Sequence, residues 1–436
     1  MSSARAVAVK ALCRLEEGGY SNLVLPAELK NADLSEQDSA FATRVFYGTV
    51  ERMLTLDYLL APFLRQPIGK MDAPVRAILR SGLYQSKYMQ VPVSAAVNES
   101  VRLTRTFRKA SAAGMVNAVL RKACSAEPDF ASIGDTVQRL SVQYSVGDSI
   151  VRLLQTAYGE QTEEILAAMM RQPDTAIREN PLRLSKKEGL AVLNTLGCTV
   201  EKGPFWGCWK LKGSARAVTS QPFREGKLFV QGIPSQLAAL SVGAKPGNTV
   251  IDLCAAPGGK SLLMAGAMEN TGTLFSCDVS ENRVSLLKNT LQRGNARCAR
   301  VLQNDASVSN PALPAADCVL ADVPCSGLGI LAKKPDIRYK KLDELDGLCE
   351  LQFKILENAA ALTKPGGRLV YSTCTILPEE NQLQIRRFLQ NHPAFRPVML
   401  PTQLPGLVDT GCGWLSLPQL TGLEGFFICA MERMHE

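Results

Sequence analysis

Apolar residues recur at helical spacing through the first 125 residues of the chain. Apolar positions three residues apart share one face of a helix, and the first such stripe consists of Ala6, Val9, Leu12 and Leu15. Further stretches of this kind are punctuated by prolines and comprise residues 41–54, 56–64, 74–88, 94–106 and 113–124. The pattern predicts an all-α domain over residues 1–125.

A mixed pattern follows this helical region. Residues 126–147 are interpreted as a linker. Residues 148–235 combine helical and extended stretches, and we predict helices over residues 150–157, 162–170 and 186–196 and a pair of strands over residues 200–211. This segment is therefore predicted to form a small α+β subdomain.

The last part of the chain, residues 236–436, alternates short apolar runs with helical stretches. One run predicted as a strand begins at Val250. The others comprise residues 272–277, 298–302, 318–321 and 366–371. Such alternation is typical of an α/β Rossmann-like domain with a parallel sheet. The whole chain is predicted to be multidomain, with an all-α domain, a small α+β subdomain and this α/β domain.

The first of these strands leads into a glycine-rich turn from Cys254 to Lys260. A P-loop needs glycine where Cys254 stands, and the dinucleotide fingerprint needs glycine where Ala256 stands, so both phosphate motifs are broken. An ordinary strand–turn–helix connection is the alternative. However, Asp278 ends the second strand and Asp305 follows the third, and an acidic residue after the second strand commonly binds ribose hydroxyls. The combination favours a nucleotide-like cofactor at this edge of the sheet.

Two cysteines follow later strands of the same sheet. Cys325 belongs to the segment Asp322-Val-Pro-Cys, and Cys374 belongs to Ser372-Thr-Cys-Thr. Neighbouring parallel strands end at the same edge, so both thiols are expected beside the cofactor. A single buried cysteine is more often a packing residue, but a thiolate is also the nucleophile that can activate a pyrimidine by adding to its C6 atom. Two cysteines in this pattern favour the chemical role.

These segments resemble the Sun/Fmu (NOL1/Nop2/Sun) family of RNA cytosine-C5 methyltransferases. The resemblance covers roughly residues 140–436, and it includes Pro378-Glu-Glu-Asn381 and the terminal Glu424-Gly-Phe-Phe-Ile-Cys-Ala430. It implies an S-adenosylmethionine-dependent enzyme in which Cys374 attacks the base and Cys325 assists product release. Asp322 would hold the cytosine N3 and exocyclic amine. Gly232 and Pro234 depart from the family pattern, in which an acidic residue usually follows Val230-Gln231.

The resemblance also implies a set of S-adenosylmethionine contacts, made by the glycine-rich turn and by the carboxylates after the strands. The set consists of Cys254, Ala255, Ala256, Pro257, Gly258, Gly259, Lys260, Asp278, Asp305 and Asp322. For Lys260, contact with the substrate and a purely structural position at the helix start remain open alternatives.

The N-terminal region is similar to the antitermination factor NusB, an RNA-binding family, in segments such as Arg80-Ser-Gly-Leu-Tyr84 and 114–122. In the Sun/Fmu subfamily this domain implies 16S ribosomal RNA as the partner and the cytosine conventionally numbered 967 as the target. The charge distribution agrees with an RNA partner. Residues 1–125 hold 17 Lys/Arg against 10 Asp/Glu, and this excess accounts for nearly all of the net charge of +8. Basic side chains that are candidates for RNA contact are Arg102, Arg105, Arg108, Lys109, Arg121 and Lys122.

Composition limits the remaining possibilities. The chain has 436 residues, and no uncharged apolar run or leader pattern suggests a membrane or export. Its 13 cysteines show no C-x-x-C spacing, and His392 and His435 are the histidines, so free thiols without a metal site are expected. We therefore expect a cytoplasmic, monomeric protein with no metal.

The segment Lys333–Lys341 carries five positive charges and one negative charge and follows the Cys325 strand end. It is predicted to contact phosphate beside the pocket, with a solvated loop as the alternative.

Two other functions remain open for the chain as a whole. They are cytosine-C5 methylation of transfer RNA or of another ribosomal RNA site, and a non-catalytic role in ribosome assembly.

Overall fold

A computed structural model describes residues 3–171, 174–185, 187–212 and 217–435. Lys186, where one helix was predicted to begin, lies outside these ranges. The chain divides into two compact units. The first comprises the residues up to Leu166 together with Lys333–Lys341, and the second comprises Ala167–Ala332 and the residues from Leu342 onward.

The first unit is helical, as the apolar spacing predicted. Its helices are α1 (Ala4–Glu16), α2 (Ser21–Lys30), α3 (Glu36–Glu51), α4 (Met53–Leu60), α5 (Ala73–Tyr88), α6 (Val93–Thr106), α7 (Ala113–Ser125), α8 (Thr136–Tyr144), α9 (Asp148–Tyr158) and α10 (Thr162–Ala168), the last of which spans the division between the units. Its core buries Leu12, Phe46 and Leu79. At Gly48, a β-carbon would stand 1.9 Å from the Tyr84 ring, so α3 and α5 approach this closely only with glycine there.

The structure differs from the sequence interpretation in residues 126–147, which were assigned to a linker. They contain α8, whose start is capped by the Asp135 carboxylate accepting from the Gln138 backbone N–H at 2.7 Å. Val137 and Leu140 on one face of α8 are buried. Thr55 of α4 donates to the Val142 carbonyl at 2.6 Å. Amphipathic spacing and a capping residue make this segment part of the helical unit.

The segment Lys333–Lys341 also packs within the first unit. The Tyr339 hydroxyl donates to the Val50 carbonyl at 2.6 Å, and it lies 2.8 Å from the Ser145 hydroxyl. The Arg338 side chain is fully buried, and its guanidinium donates to the Tyr144 carbonyl at 3.1 Å. The predicted phosphate contact is therefore wrong for Arg338, because its charge is enclosed by protein.

The second unit contains a small antiparallel sheet that corresponds to the predicted α+β subdomain. Its elements are β1 (Thr175–Glu179), α11 (Glu188–Asn194), β2 (Thr199–Lys202), β3 (Cys208–Lys212), α12 (Gln221–Arg224) and β4 (Leu228–Val230), with strand order β2-β3-β1-β4. In register, Arg178 pairs with Cys208 on one side and with Phe229 on the other. Ile177, Leu211 and Leu228 are among the residues of its core.

The large sheet of the second unit carries the candidate site residues at one edge. The elements are α13 (Ile233–Ser241), β5 (Thr249–Asp252), α14 (Gly259–Ala267), β6 (Thr273–Asp278), α15 (Glu281–Arg293), β7 (Ala299–Gln303), β8 (Ala316–Asp322), α16 (Leu345–Leu362), β9 (Thr363–Thr373), α17 (Gln382–Asn391), β10 (Phe395–Val398), β11 (Leu407–Asp409), β12 (Trp414–Ser416), α18 (Pro418–Thr421) and β13 (Phe426–Arg433). The strand order is β11-β12-β13-β9-β8-β5-β6-β7, and β10 pairs with β13.

Strands β9, β8, β5, β6 and β7 are mutually parallel, whereas β13 runs antiparallel to β9. Each predicted strand of the α/β domain is present, and the predicted fold class is confirmed. Because parallel strands end together, the residues after β5, β6, β8 and β9 meet at one edge. None of the helices within the described ranges has the length and apolar character that a membrane crossing needs.

Candidate active site

The two predicted cysteines lie in sulfur contact at the carboxyl edge of the sheet. Asp322 at the end of β8 pairs in register with Ser372 of β9, so the loops that follow these strands start side by side. The Sγ atoms of Cys325 and Cys374 are 3.2 Å apart, and both residues are partly exposed. A pair of thiols that solvent can reach at the carboxyl edge of the sheet fits a chemical role better than core packing.

Asp322 stands between a cation and a hydroxyl. Lys260 Nζ donates to Asp322 Oδ2 at 2.6 Å, and Ser372 Oγ donates to Asp322 Oδ1 at 2.6 Å. Burial alone would lower the pKa of Lys260, but Asp322 and, to a smaller extent, Asp252 and Cys374 raise it above its ordinary value. Lys260 is therefore a fixed positive charge at this edge, and it favours negative charge on both neighbours.

The two thiols differ in their electrostatic environment. The hydrogen bond to Cys374 and burial raise the pKa of Cys325 well above its ordinary value. The thiol form of Cys325 is therefore favoured within the pair. Lys260 interacts electrostatically with Cys374, so the negative charge of the pair is favoured on Cys374.

The glycine-rich turn follows β5 at the same edge of the sheet. Gly258 has a φ of +104°, a conformation that favours glycine, and α14 starts at the next residue. The Ala255 backbone N–H donates to the Cys277 carbonyl at 2.7 Å, which fixes the turn on β6. Asp252, fully enclosed beneath the turn, accepts from Ser261 Oγ at 2.6 Å, and burial raises its pKa to about 7.

The carboxylate of Asp278 faces this turn. It is 2% exposed, and its Oδ2 accepts from the Ala256 backbone N–H at 3.3 Å and lies 3.3 Å from the Arg283 guanidinium. Asp305 is exposed, and its Oδ1 accepts from the backbone N–H and the hydroxyl of Ser307 at 2.9 and 2.7 Å. The structure therefore places Asp278 against the turn, while the contacts of Asp305 stay within its own loop.

A buried polar cluster lies behind the cysteines, and sequence reasoning assigned it no role. The Glu380 carboxylate is fully buried and accepts from the Ser326 backbone N–H at 2.8 Å and from the Gln352 amide at 2.9 Å. Ser326 Oγ lies 2.8 Å from Thr375 Oγ1. Since Ser326 follows Cys325 and Thr375 follows Cys374, this cluster fixes the two cysteine loops relative to each other.

A second support lies behind the glycine-rich turn. Arg178 of β1 is 2% exposed; its Nη2 donates to the Gly259 carbonyl at 3.0 Å and its Nε donates to Gln231 Oε1 at 2.5 Å. Asn180 donates to the carbonyls of Gly226 and Gly294, both at 2.8 Å. Arg178 thus ties the small sheet to the turn, and Asn180 ties it to the residues that follow α12 and α15.

Backbone hydrogen bonds also join the terminal strand to the site. Gly329 donates from its N–H to the Cys374 carbonyl at 3.0 Å, and its own carbonyl accepts from Gly425 at 2.8 Å. A β-carbon on Gly329 would lie 2.0 Å from the Gly425 carbonyl oxygen. The Cys325 loop, the Cys374 loop and the segment before β13 therefore pack in a way that only glycine at position 329 allows.

We expect Gly329→Ala to lower the free energy of unfolding by about 1–3 kcal/mol, because the new methyl group overlaps backbone that cannot yield cheaply. Urea denaturation followed by circular dichroism measures the change. Gly347→Ala is the matched control, since Gly347 lies in α16 with open space around it. There we expect no loss, and a gain of about 0.5–1 kcal/mol. Equal effects of the two substitutions would contradict this packing.

Three family models match successive parts of the chain. The NusB family matches residues 2–125, a ferredoxin-like domain of RsmF/B-like methyltransferases matches residues 149–208, and the model described as 16S rRNA methyltransferase RsmB/F matches residues 239–432. Full-length relatives agree. A Bacillus subtilis protein named "Probable ribosomal RNA small subunit methyltransferase B" is 35% identical, over 99% of this chain and 99% of its own. The chain belongs to the RsmB/F family of rRNA methyltransferases.

Further comparisons support this RsmB/F membership. The Yersinia pseudotuberculosis protein named "Ribosomal RNA small subunit methyltransferase B" is 30% identical, with 97% of each chain covered. The crystal structure of PH0851 is 27% identical and superposes with a TM-score of 0.82 over 98% of both chains. A methyltransferase homologue from Pyrococcus horikoshii is 25% identical, with a TM-score of 0.60 over 69% of this chain and all of its own. The predicted resemblance to the Sun/Fmu and NusB families is confirmed.

Within this RsmB/F chain, the structure brings together most of the residues singled out from the sequence. Cys325, Cys374 and Asp322 share one edge with the turn from Cys254 to Lys260. The basic candidates of the first unit are largely solvent-exposed, although Arg102 pairs with Glu99 and Lys109 pairs with Asp72; the others are Arg105, Arg108, Arg121 and Lys122. Glu380 and Arg178 were not singled out as site residues. Each stands next to other polar residues in the sequence, so no local charge pattern marks them.

Proposed function

We propose that this chain methylates C5 of a cytosine in 16S ribosomal RNA, at the position conventionally numbered 967, through a covalent Cys374–C6 adduct with S-adenosylmethionine as methyl donor. The observation that carries the proposal is the 3.2 Å contact between Cys325 and Cys374 beside the Lys260–Asp322 pair. Methylation of an amine needs no thiol, whereas C5 of cytosine becomes nucleophilic only after a nucleophile has added to C6.

The base would be held by Asp322. Its oxygens already accept from Lys260 and Ser372, and lone pairs that remain can accept from the cytosine exocyclic amine. The Asp322 side chain is 24% exposed, so a base can reach it. Lys260 then stabilises the negative charge that develops on the N3 side of the ring as sulfur adds to C6.

Cys374 is proposed as the nucleophile. Its charge is favoured by the Lys260 ammonium and by the Cys325 S–H. Addition of its sulfur to C6 leaves C5 with carbanion character. S-adenosylmethionine, when bound, supplies the electrophilic methyl group that C5 takes up. The C5 proton must then leave, and the bond between Cys374 sulfur and C6 must break.

Cys325 is proposed to take the C5 proton. In the free enzyme its hydrogen bond to Cys374 is the largest cause that keeps its pKa high. Once Cys374 is bonded to C6, that negative charge is gone, and the pKa of Cys325 falls. Cys325, which is partly exposed, can then release its S–H proton to solvent and accept the C5 proton as a thiolate, so it becomes a base only after the adduct has formed.

The residues at the turn fit the proposed donor. Asp278 is an enclosed carboxylate at the end of β6, suited to ribose hydroxyls. Val279 and Val308 are 58% and 59% exposed and offer apolar surface after β6 and β7. The buried Asn304 Nδ2 has no hydrogen-bond partner among the described residues. We propose that Asp278 and the turn from Cys254 to Lys260 hold the donor, with Asp305 and Asp322 contributing at the rim.

We expect Asp278→Ala to weaken binding of S-adenosylhomocysteine at least tenfold. Hydrogen bonds to a charged group are each worth about 1.5–3 kcal/mol, and the carboxylate also supports the Ala256 backbone N–H. Isothermal titration calorimetry measures the loss. Asp317→Ala is the control, since this carboxylate lies at the start of β8 and pairs with Lys364. Unchanged affinity in Asp278→Ala, or an equal loss in both variants, would contradict the assignment.

The RNA partner is supported by the first unit. Residues 1–125 carry most of the net positive charge, and the NusB family model matches nearly all of them. Exposed arginines and lysines bind phosphates without regard to sequence, so this unit would contribute affinity rather than chemistry. Transfer RNA as the substrate, or a role without catalysis, would leave the same basic surface, and the experiment must separate these possibilities.

The decisive experiment supplies tritiated S-adenosylmethionine to the purified chain with unmethylated 16S RNA, with transfer RNA, and with 16S RNA in which the target cytosine is uridine. Incorporation into the first substrate alone, recovered as 5-methylcytidine by mass spectrometry and located by bisulfite sequencing, supports the proposal. Methylation of transfer RNA would instead support the first alternative, a transfer RNA methyltransferase. Absence of incorporation with all substrates, despite measurable RNA binding, would favour the non-catalytic role.

A further inference from the structure

The Cys325–Cys374 pair has the arrangement of a thiol that oxidises and a second thiol that resolves the product. The two sulfurs are already in contact at 3.2 Å, and both residues are partly exposed. A disulfide bond is about 2.05 Å long, so the sulfurs need to approach by roughly 1.2 Å. Redox-sensitive cysteines are typically solvent-accessible thiolates placed next to a resolving cysteine.

We propose that Cys325 and Cys374 are a site of reversible oxidation by hydroperoxides, in which an intramolecular disulfide closes and removes both catalytic thiols at once. The proposal rests on the proposed function for its consequence, the loss of both catalytic thiols, and not for the formation of the disulfide. The closed form could neither add to a pyrimidine nor accept a proton from C5, because both sulfurs would be consumed in one bond.

The chemistry balances with hydrogen peroxide as the oxidant. The Cys374 thiolate attacks one peroxide oxygen, the O–O bond breaks, and Cys374 becomes a sulfenic acid while hydroxide leaves as water after protonation. The Cys325 sulfur then displaces the sulfenic oxygen as a second water, with its own proton, and the S–S bond forms. In total, two thiols lose two electrons and two protons, and one peroxide is reduced to two waters.

The hydrogen bonds around the two cysteine loops favour a disulfide within one chain. Glu380 and Ser326 hold the Cys325 loop, and Gly329 ties that loop to the Cys374 carbonyl. Because the two loops are fixed to each other, the thiols stay in contact, and a sulfenic acid on Cys374 meets Cys325 before another molecule.

Cys349 is a nearby thiol with a different environment. It is partly exposed, its Sγ lies 3.7 Å from the Glu379 carbonyl oxygen, and burial raises its pKa to about 11. It therefore remains a thiol and has a carbonyl as its partner instead of a second sulfur. Cys349 and Cys374 belong to the same unit. A difference in the extent of their oxidation would therefore reflect the geometry and charge around each thiol.

The test treats the full-length reduced protein with graded hydrogen peroxide, blocks remaining thiols with N-ethylmaleimide and maps peptides by mass spectrometry. We expect a cross-linked peptide joining Cys325 to Cys374, lighter by two hydrogen atoms and lost on treatment with dithiothreitol. Cys349→Ser should form it equally. In Cys325→Ser, Cys374 should instead react with dimedone, which traps sulfenic acids. Circular dichroism confirms that each variant is folded.

Two results would overturn the proposal. One is Cys325 and Cys374 remaining fully alkylated while other cysteines have been oxidised, and the other is disulfides between different pairs or between chains at the same peroxide dose. Because the measurement is a peptide mass, it does not depend on methyl transfer. A chain that forms this disulfide but methylates another atom would refute the proposed function and leave the oxidation site standing.

Discussion

Replacing Cys374 by alanine is expected to lower methyl transfer by at least about a thousandfold, because no other group can form the bond to C6. Cys325 does not substitute for it, because burial still disfavours its thiolate and its proposed role comes after addition. Binding of S-adenosylhomocysteine should change by less than about threefold, as the substitution lies off the glycine-rich turn. Tritium transfer to 16S RNA and calorimetry measure the two effects separately.

The control for this substitution is Cys349→Ala, which removes a partly exposed thiol of the same unit that has no assigned role. We expect nearly unchanged transfer in that variant. Transfer by Cys374→Ala at a rate near the wild type would assign the nucleophile elsewhere. Loss of cofactor binding together with activity would show that the substitution disturbs the fold, and Cys374→Ser would then separate the two causes.

The features that could be predicted from the sequence are those that local physics determines. The parallel strands were recognisable because each is a short apolar run followed by a turn or a charged residue, as at Asp252 and Asp278. The glycine-rich turn was recognisable from its glycines. The structure shows why Gly258 is needed, since it adopts a φ of +104° that other residues rarely reach. Cys325 and Cys374 follow adjacent strands, so the sheet rule alone brings them together.

The features that escaped prediction depend on contacts between distant parts of the chain. Glu380 lies 54 residues after Ser326, and neither residue's neighbours indicate that the two meet. The segment Lys333–Lys341 was predicted to contact phosphate, with a solvated loop as the alternative, yet Tyr339 is bonded to Val50, nearly 300 residues earlier. A charged residue in sequence is usually exposed, and only the fold shows that Arg338 is enclosed.

The same contrast clarifies Lys260, whose role was open in the sequence. Its position directly after the glycine-rich turn suited a cofactor contact, a substrate contact or a helix start equally well. The structure directs its Nζ to Asp322 Oδ2 at 2.6 Å, on the side where the base would lie. The glycine-rich turn and the proposed base-binding carboxylate are therefore joined by one ion pair, which positions them together.

Replacing Cys325 by alanine is expected to trap the enzyme covalently on its RNA. Cys374 can still add to C6 and the methyl group can still be taken up, but the group proposed to remove the C5 proton is absent. Elimination then slows, and the covalent adduct accumulates in an amount that rises with the amount of enzyme. Incubation with 16S RNA and S-adenosylmethionine should yield a slowly migrating band that survives denaturing gel electrophoresis, while wild-type protein shows little of it.

The control for the trapped complex is the double variant Cys325→Ala/Cys374→Ala, which should show no such band because it has no nucleophile. Cys349→Ala should behave like the wild type. A band that requires Cys325 and persists without Cys374 would exchange the roles of the two residues. The pKa of Cys325 argues against that exchange, since its hydrogen bond to Cys374 and its burial both disfavour the thiolate that an attack on C6 requires.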